Sequence, residues 1–425
     1  MKLARSLKTN ALVYLIGTGL YALTQWALVV VFARSQGPAA VGLFAVATAV
    51  SAPIIVLSQM SMRQVLIADV KGRFSFVDYL RARWLLSVVA FLTIVAVALA
   101  IGYRGKGLLI IAGFALGRVF ESVSDIYYAQ SQAEGGLHRV SFYTAARGIV
   151  TLSIAAGAAI VTHDLLTAAC GFAVASLLCQ LGVREIEGRI IPESRRKPTL
   201  RLSGALLRHA APLAVSQFLI AATAYAPRLI LQHFGGEQLA GQASAVEYFL
   251  AMGTLGVAAL GQAASAPIAA AYHRASDRTF VRLVTMIAGG AVLLAAIMAL
   301  AANLFGHAVI LALYGSSFEA AAQAAPAIVT GGVVGYIASV LGYAVSATGR
   351  YDHMVRWAFA VLLTTIIGGC VMVDRFGLIG LGYALAVGGA LNIAAYVHLL
   401  HRAWATSSSA AAAIDAGARE GVFDG

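Results

Sequence analysis

Charge is scarce in this sequence. Of its 425 residues only 11% are Asp, Glu, Lys or Arg, where soluble domains carry about 25%. A chain this poor in charge does not coat a water-facing globule. With 60% hydrophobic residues and a mean hydropathy of +0.84 it reads as an all-α polytopic membrane protein. Cysteine is equally rare. Cys170, Cys179 and Cys370 all lie in apolar runs without metal-ligand spacing, so neither a disulfide framework nor a metal site is implied. Enzymatic signatures are missing too: there is no GxxxxGK[ST] loop, HExxH, GxSxG elbow or DxD. The G-x-G-x-x-A match at Gly17–Ala22 sits inside an apolar run with no strand before it, and reads as helix packing. No loop is long enough for a soluble catalytic module, and no cofactor is expected.

What is present is a series of apolar runs of about 20 residues, the length that crosses a bilayer as helix. Twelve are found. Their limits are 11–33, 39–67, 83–102, 107–132, 142–162 and 165–184, then 209–233, 238–265, 283–304, 321–347, 355–373 and 377–401. The first is too long for a signal-peptide core and reads as an uncleaved span. The net charge of +12 would suggest nucleic acid in a soluble protein, but its placement argues against that. With the N-terminus inside, 23 of the 30 Lys and Arg fall on the inner side and 4 on the outer, which sets both termini in the cytoplasm. The expected organisation is an N-terminal lobe over 1–184, a basic linker over 185–208, a C-terminal lobe over 209–402 and a low-complexity, disordered tail over 403–425. The outer connection 305–320, with its short apolar stretch HAVILALYG, is expected to lie in the interface. Gly37–Gly42 (GPAAVG) and Gly236–Gly241 (GEQLAG), 199 residues apart, each join the first span of a half to the second. Six spans separate the copies, so the repeat is parallel, an arrangement in which transporters place substrate between the halves.

Three charges share one face of the fourth span. On a helix Arg118, Glu121 and Asp125 fall in a stripe about 60° wide. A charge at the bilayer centre costs roughly 2.5–3.5 kcal/mol on insertion scales, so such a stripe lines something polar. Arg63 and Arg228 lie about five residues inside their spans. Either they face a cavity or they snorkel to the headgroups. Gln25, Gln59 and Gln217 are neutral lining candidates, and Glu121, Asp125 and Glu247 are candidates for pairing with arginine or for coupling to H+ or Na+. Membrane potential acting on a charged cavity is an equal candidate for the driving force. Pro53, Pro227 and Pro326 mark expected kinks, as do Pro212 and Pro267. The GxxxG pairs Gly113–Gly117 and Gly331–Gly335 indicate close helix approach.

From about Leu7 to Leu400 the chain resembles the polysaccharide and O-antigen flippases, the Wzx-like polysaccharide transporters. That family shares a superfamily with multidrug and toxin exporters and the lipid II flippase. The likeness is carried by RSQGPAAVGLFAVA, FESVSDIYYAQSQ with the following HRVSFYTAARG, AYAPRLILQHFGGEQLAG and LYGSSF. It implies two six-span lobes opening alternately to either side of the bacterial inner membrane. It also implies a substrate made of oligosaccharide on an undecaprenyl pyrophosphate carrier, for surface polysaccharide synthesis, with membrane lipids, a polysaccharide polymerase and a chain-length regulator as partners. Arg63, Arg228 and Arg34 are the positions it marks for the pyrophosphate, which an arginine fork grips with two bonds. His233 and Gln262 stand at the second-half positions matching Arg34 and Arg63, so the halves are not electrostatically equivalent. A cation-coupled exporter of small drugs remains the alternative. A membrane glycan polymerase or acyltransferase would need a large outer loop or a His/Asp set, and neither is visible.

Overall fold

The computed structural model describes residues 2–69, 74–190, 204–273, 277–347 and 351–420. Every described element is helical. In chain order these are α1 (Lys2–Gln36), α2 (Pro38–Gln59), α3 (Met62–Ala68), α4 (Phe76–Ala100), α5 (Gly105–Ala133), α6 (Leu137–Thr162) and α7 (Leu165–Ile190). There follow α8 (Gly204–His273), α9 (Asp277–Tyr314), α10 (Glu319–Gly332), α11 (Val334–Ala347) and α12 (Tyr351–Glu420), with a 3-10 turn at Ser316–Phe318. Residues 191–203 of the basic linker, including Arg195, Arg196 and Lys197, lie outside the described residues, as do 421–425 of the tail.

Ten stretches of the described residues are long and apolar enough to cross a membrane. Two of them, Ala214–Tyr272 with 59 residues and Val355–Arg402 with 48, are far longer than the ~20 residues one crossing needs. Each is interrupted by non-helical backbone, at Gly235 and Gly236 in α8 and at Gly377 in α12. Counting those two stretches as two crossings each gives twelve, with breaks where the sequence spacing places them. Two outcomes differ from expectation. The HAVILALY stretch continues α9 as unbroken helix to Tyr314, because an apolar run without Gly or Pro has no reason to stop being helix. The tail is helical to Glu420; its low complexity is largely alanine, the strongest helix former.

The chain packs as two compact units, Met1–Ala245 with Leu313–Phe318, and Val246–Ala312 with Glu319–Gly425. In the first unit α1 packs on α6, and α5 sits among α2, α4 and α7. Phe32, Phe44, Phe114 and Phe172 meet edge-on or tilted at centroid distances of 4.9–6.1 Å, tying α1, α2, α5 and α7 together. On α5 the glycine pair does what its spacing implies: a Cβ at Gly113 would press on Ala169, and one at Gly117 would enter the Phe172 ring. In the second unit α10 and α11 pack on α12. A Cβ at Gly331 would overlap the Gly382 carbonyl, and Tyr336 Oη donates to the Leu250 carbonyl at 2.7 Å.

The two glycine hexapeptides are structurally alike. Gly37 and Gly236 both take positive φ, 82° and 66°, with extended ψ, a conformation open to glycine at no steric cost. Each starts a new helix at the next residue, Pro38 in one case and Glu237 in the other. Pro38 at the first helical position suits that start, since proline lacks the N–H that would go unbonded there.

Candidate functional site

Charged side chains of the first unit gather with polar partners in three clusters on α1, α3, α4, α5, α6 and α7. The first centres on the α5 stripe. Arg118 Nη1 donates to Glu121 Oε2 at 2.8 Å and to Tyr21 Oη at 3.0 Å, while Nη2 donates to Gln25 Oε1 at 3.2 Å. Its guanidinium lies 5.2 Å from the Phe172 ring centroid. Tyr21 Oη in turn donates to Glu121 Oε1 at 3.2 Å. Arg147 of α6 completes this cluster, with Nε 3.8 Å from Glu121 Oε1 and its guanidinium 4.8 Å from the Tyr21 ring and 5.6 Å from the Tyr128 ring.

One turn further along α5 lies the second cluster. Arg63 reaches in from α3, giving Nη1 to Asp125 Oδ1 at 2.6 Å and Nη2 to Gln132 Oε1 at 2.8 Å. Arg83 of α4 approaches the other carboxylate oxygen at 3.7 Å and bonds Ser122 Oγ at 3.3 Å. The backbone that delivers Arg63 is strained. Met60 and Ser61, neither of them glycine, both hold a φ of 47°, breaking the second span between α2 and α3. Where α5 and α7 end and α6 starts, a third cluster joins Arg139 to Glu187 and Glu134 at 3.3 and 3.5 Å, with Tyr143 Oη donating to Glu187 at 2.8 Å. The Tyr143 ring stacks on Tyr128, which links this cluster to Arg147.

Charge does not balance in the first two clusters. Among the described residues Arg63, Arg83, Arg118 and Arg147 face Glu121 and Asp125, four cations against two anions. Buried ion pairs are tolerated when matched, whereas excess charge in a low-dielectric interior is costly. An interior with a surplus of arginine forks is suited to a ligand bearing two or more negative charges.

The structure thus brings together Arg63, Arg118, Gln25, Glu121 and Asp125. Arg34 is exposed, and its Nε donates to the Leu313 carbonyl at 2.8 Å, near the C-terminal end of α9 where carbonyls lack helical partners. Arg228 is half-buried over Tyr225 at 5.0 Å. Gln59 is half-buried at the end of α2, Gln217 is exposed on α8, and Glu247 is half-buried in the second unit. Helices α2 and α10 run on past Pro53 and Pro326, and α8 past Pro227; the backbone breaks are at Met60–Ser61, Gly235–Gly236 and Gly377.

Arg83, Arg147 and Glu187 are cluster members that span counting assigned to inner loops and ends. A signal for them existed. Arg139, Tyr143 and Arg147 recur every four residues, and so do Arg83 and Ser87, which is one helix face in each case. The helices also start earlier than the apolar windows: α4 begins at Phe76, seven residues before the run at 83, where Ser75 caps it through a reciprocal bond pair with Asp78, and α6 begins at Leu137, five before the run at 142.

No protein-family model matches the sequence, and no curated protein matches it. Solved structures do. The inward-facing conformation of a multidrug resistance MATE family transporter of the MOP superfamily aligns over 92% of this chain and 95% of its own, with TM-score 0.72 at 15% identity. The lipid II flippase MurJ, in an inward closed conformation, aligns over 93% and 90%, with TM-score 0.71 at 14% identity. A MOP superfamily transporter from Pyrococcus furiosus, in which reverse polarity of the binding pocket suggests a different function, aligns over 95% and 96%, with TM-score 0.66 at 14% identity. The likeness is one of fold: this chain has the all-helical fold of those solved structures. The neighbours are transporters and a flippase rather than enzymes.

Proposed function

We propose that the protein flips an undecaprenyl-pyrophosphate-linked oligosaccharide across the bacterial inner membrane by alternating access, for assembly of a surface polysaccharide. The observation that carries this reading is the surplus of arginine in the first unit, four guanidinium groups against two carboxylates. A diphosphate supplies the missing negative charge, and its oxygens match the arginine fork bidentately. The prenyl chain has no need of a protein site, since lipid solvates it. Fold neighbours that include both an inward- and an outward-facing MATE transporter are compatible with alternating access. MurJ, a flippase for lipid II by name, extends the same fold to a lipid-linked cargo.

In this reading Arg63 and Arg118 hold the ligand's charge, while Glu121 and Asp125 serve as resting counter-ions. Glu247 is the candidate acid for H+ or Na+ coupling, and membrane potential acting on the surplus positive charge is the other source of drive. A polymerase and chain-length regulator act on the product at the outer face. The cation-coupled drug exporter fits less well, because a cationic drug would meet repulsion from the same arginines.

Depletion of the protein in its own cells tests the reading directly. A lipid-linked oligosaccharide is expected to accumulate on the inner leaflet, relieved by the wild-type chain and not by Arg63→Gln or Arg118→Gln at equal protein levels. Drug sensitivity with unchanged surface glycan would sink it.

A further inference from the structure

Two arginines hold the Asp125 carboxylate, and they differ in exposure. Arg63 binds Oδ1 at 2.6 Å and keeps 24% of its side chain exposed, whereas Arg83 stands 3.7 Å from Oδ2 and is completely buried. Among the described residues Nε and Nη2 of Arg83 have no hydrogen-bond partner, and Nη2 is the atom turned toward Asp125. Idle donors on a buried guanidinium are expensive. Their position behind the carboxylate gives them a use.

We propose that Arg83 is a positioning residue that takes over Asp125 when an anionic ligand draws Arg63 away. The proposal rests on the flippase reading for the identity of that ligand, a lipid diphosphate. A phosphate oxygen competes for the same guanidinium fork that Asp125 occupies. Without a second cation the abandoned carboxylate would be an unpaired buried anion, and Arg63 would stay where it is. With Arg83 behind it, closing the 3.7 Å gap to ~2.9 Å converts a loose ion pair into a charge-assisted hydrogen bond. Asp125 then never lacks a cation. Arg83, sealed from the ligand, cannot itself bind the diphosphate; its effect passes through Arg63. In the empty state the carboxylate keeps Arg63 occupied, which disfavours retention of stray anions.

The test uses the full chain in nanodiscs and a cycle of four proteins: wild type, Asp125→Asn, Arg83→Gln and the double variant. A ligand-free readout is the rate at which phenylglyoxal modifies Arg63, followed on its own peptide by mass spectrometry. Asp125→Asn is expected to raise that rate several-fold. Arg83→Gln is expected to lower it, because the carboxylate then depends on Arg63 alone. In the double variant Arg83→Gln should add nothing to Asp125→Asn. The second readout is binding of farnesyl pyrophosphate, expected to weaken about tenfold in Arg83→Gln and to be insensitive to that change once Asp125 is neutral. Equal effects of Arg83→Gln with and without Asp125 would mean a merely structural role and overturn the proposal. If the modification cycle shows the coupling while wild type binds no farnesyl pyrophosphate, the exchange stands and the diphosphate reading falls. Should Arg83→Gln fail to fold, Asp125→Asn decides alone: an unchanged Arg63 modification rate overturns the exchange.

Discussion

The Cα of Gly42 faces the carbonyl of Glu237 so closely that a Cβ at position 42 would lie inside it. The relationship is reciprocal. Gly241 meets the Pro38 carbonyl in the same way, and Pro38 and Glu237 are the residues that follow Gly37 and Gly236. The two copies of the hexapeptide therefore pack against each other, each glycine receiving the first helical residue of the other. Gly42→Ala and Gly241→Ala are each expected to cost about 1–3 kcal/mol through overpacking against rigid backbone. Thermal unfolding in detergent measures it, and alanine variants with wild-type midpoints would show that the two helix starts are free to separate.

Glu121 is the shared counter-ion of Arg118 and Arg147. Glu121→Gln leaves two buried cations facing each other and is expected to destabilise the protein by about 3–5 kcal/mol. Neutralising Arg147 as well, as Glu121→Gln with Arg147→Gln, should recover part of the loss. The thermal midpoints of the two variants and the wild type decide it: a double variant less stable than Glu121→Gln would mean Arg147 is held chiefly by the Tyr21 and Tyr128 rings.

The segment Leu313–Phe318 is tied to the first unit at three points. Arg34 donates to the Leu313 carbonyl, Trp26 Nε1 to Tyr314 Oη at 2.9 Å and Gln242 Nε2 to the Ser317 carbonyl at 2.7 Å, while Tyr314 and Phe318 are buried. Trp26→Phe removes one bond of about 1 kcal/mol. Combined with Arg34→Gln it is expected to speed amide exchange across this segment without altering exchange in α5. Exchange mass spectrometry reads this, and equal acceleration in both places would point to general destabilisation instead.

Asp164, between α6 and α7, accepts from Lys106 at 2.8 Å and from the Leu166 N–H at the start of α7. The Lys106 hydrogen bond holds its carboxyl below the ordinary range. A depressed folded value means stability that is present above the unfolded value of about 3.9 and lost as pH falls through the lower folded value. Lys106→Met is therefore expected to lower stability at neutral pH by about 0.2–1 kcal/mol, the range of exposed pairs. The gap from wild type should close below about pH 4. A gap of undiminished size at pH 3, measured by scanning fluorimetry, would assign the loss to packing of the lysine stem.

Much of this was legible in the amino-acid order. Twelve apolar runs and the Arg118–Glu121–Asp125 stripe follow from hydropathy and a 100° turn per residue, which are properties of a single helix. The partners of that stripe were not legible. Nothing local ties Arg63 to Asp125 across 62 residues, or Arg147 to Glu121 from another helix, and Arg83 and Arg147 look like charges near the ends of their runs until α4 and α6 are seen to start at Phe76 and Leu137. Sequence alone determined that the chain crosses a membrane as helices and which faces carry charge, because the bilayer leaves the backbone no other way to bond itself. Only the tertiary structure decided which charges neutralise one another and which remain in surplus, since pairing across helices depends on packing that no single helix contains.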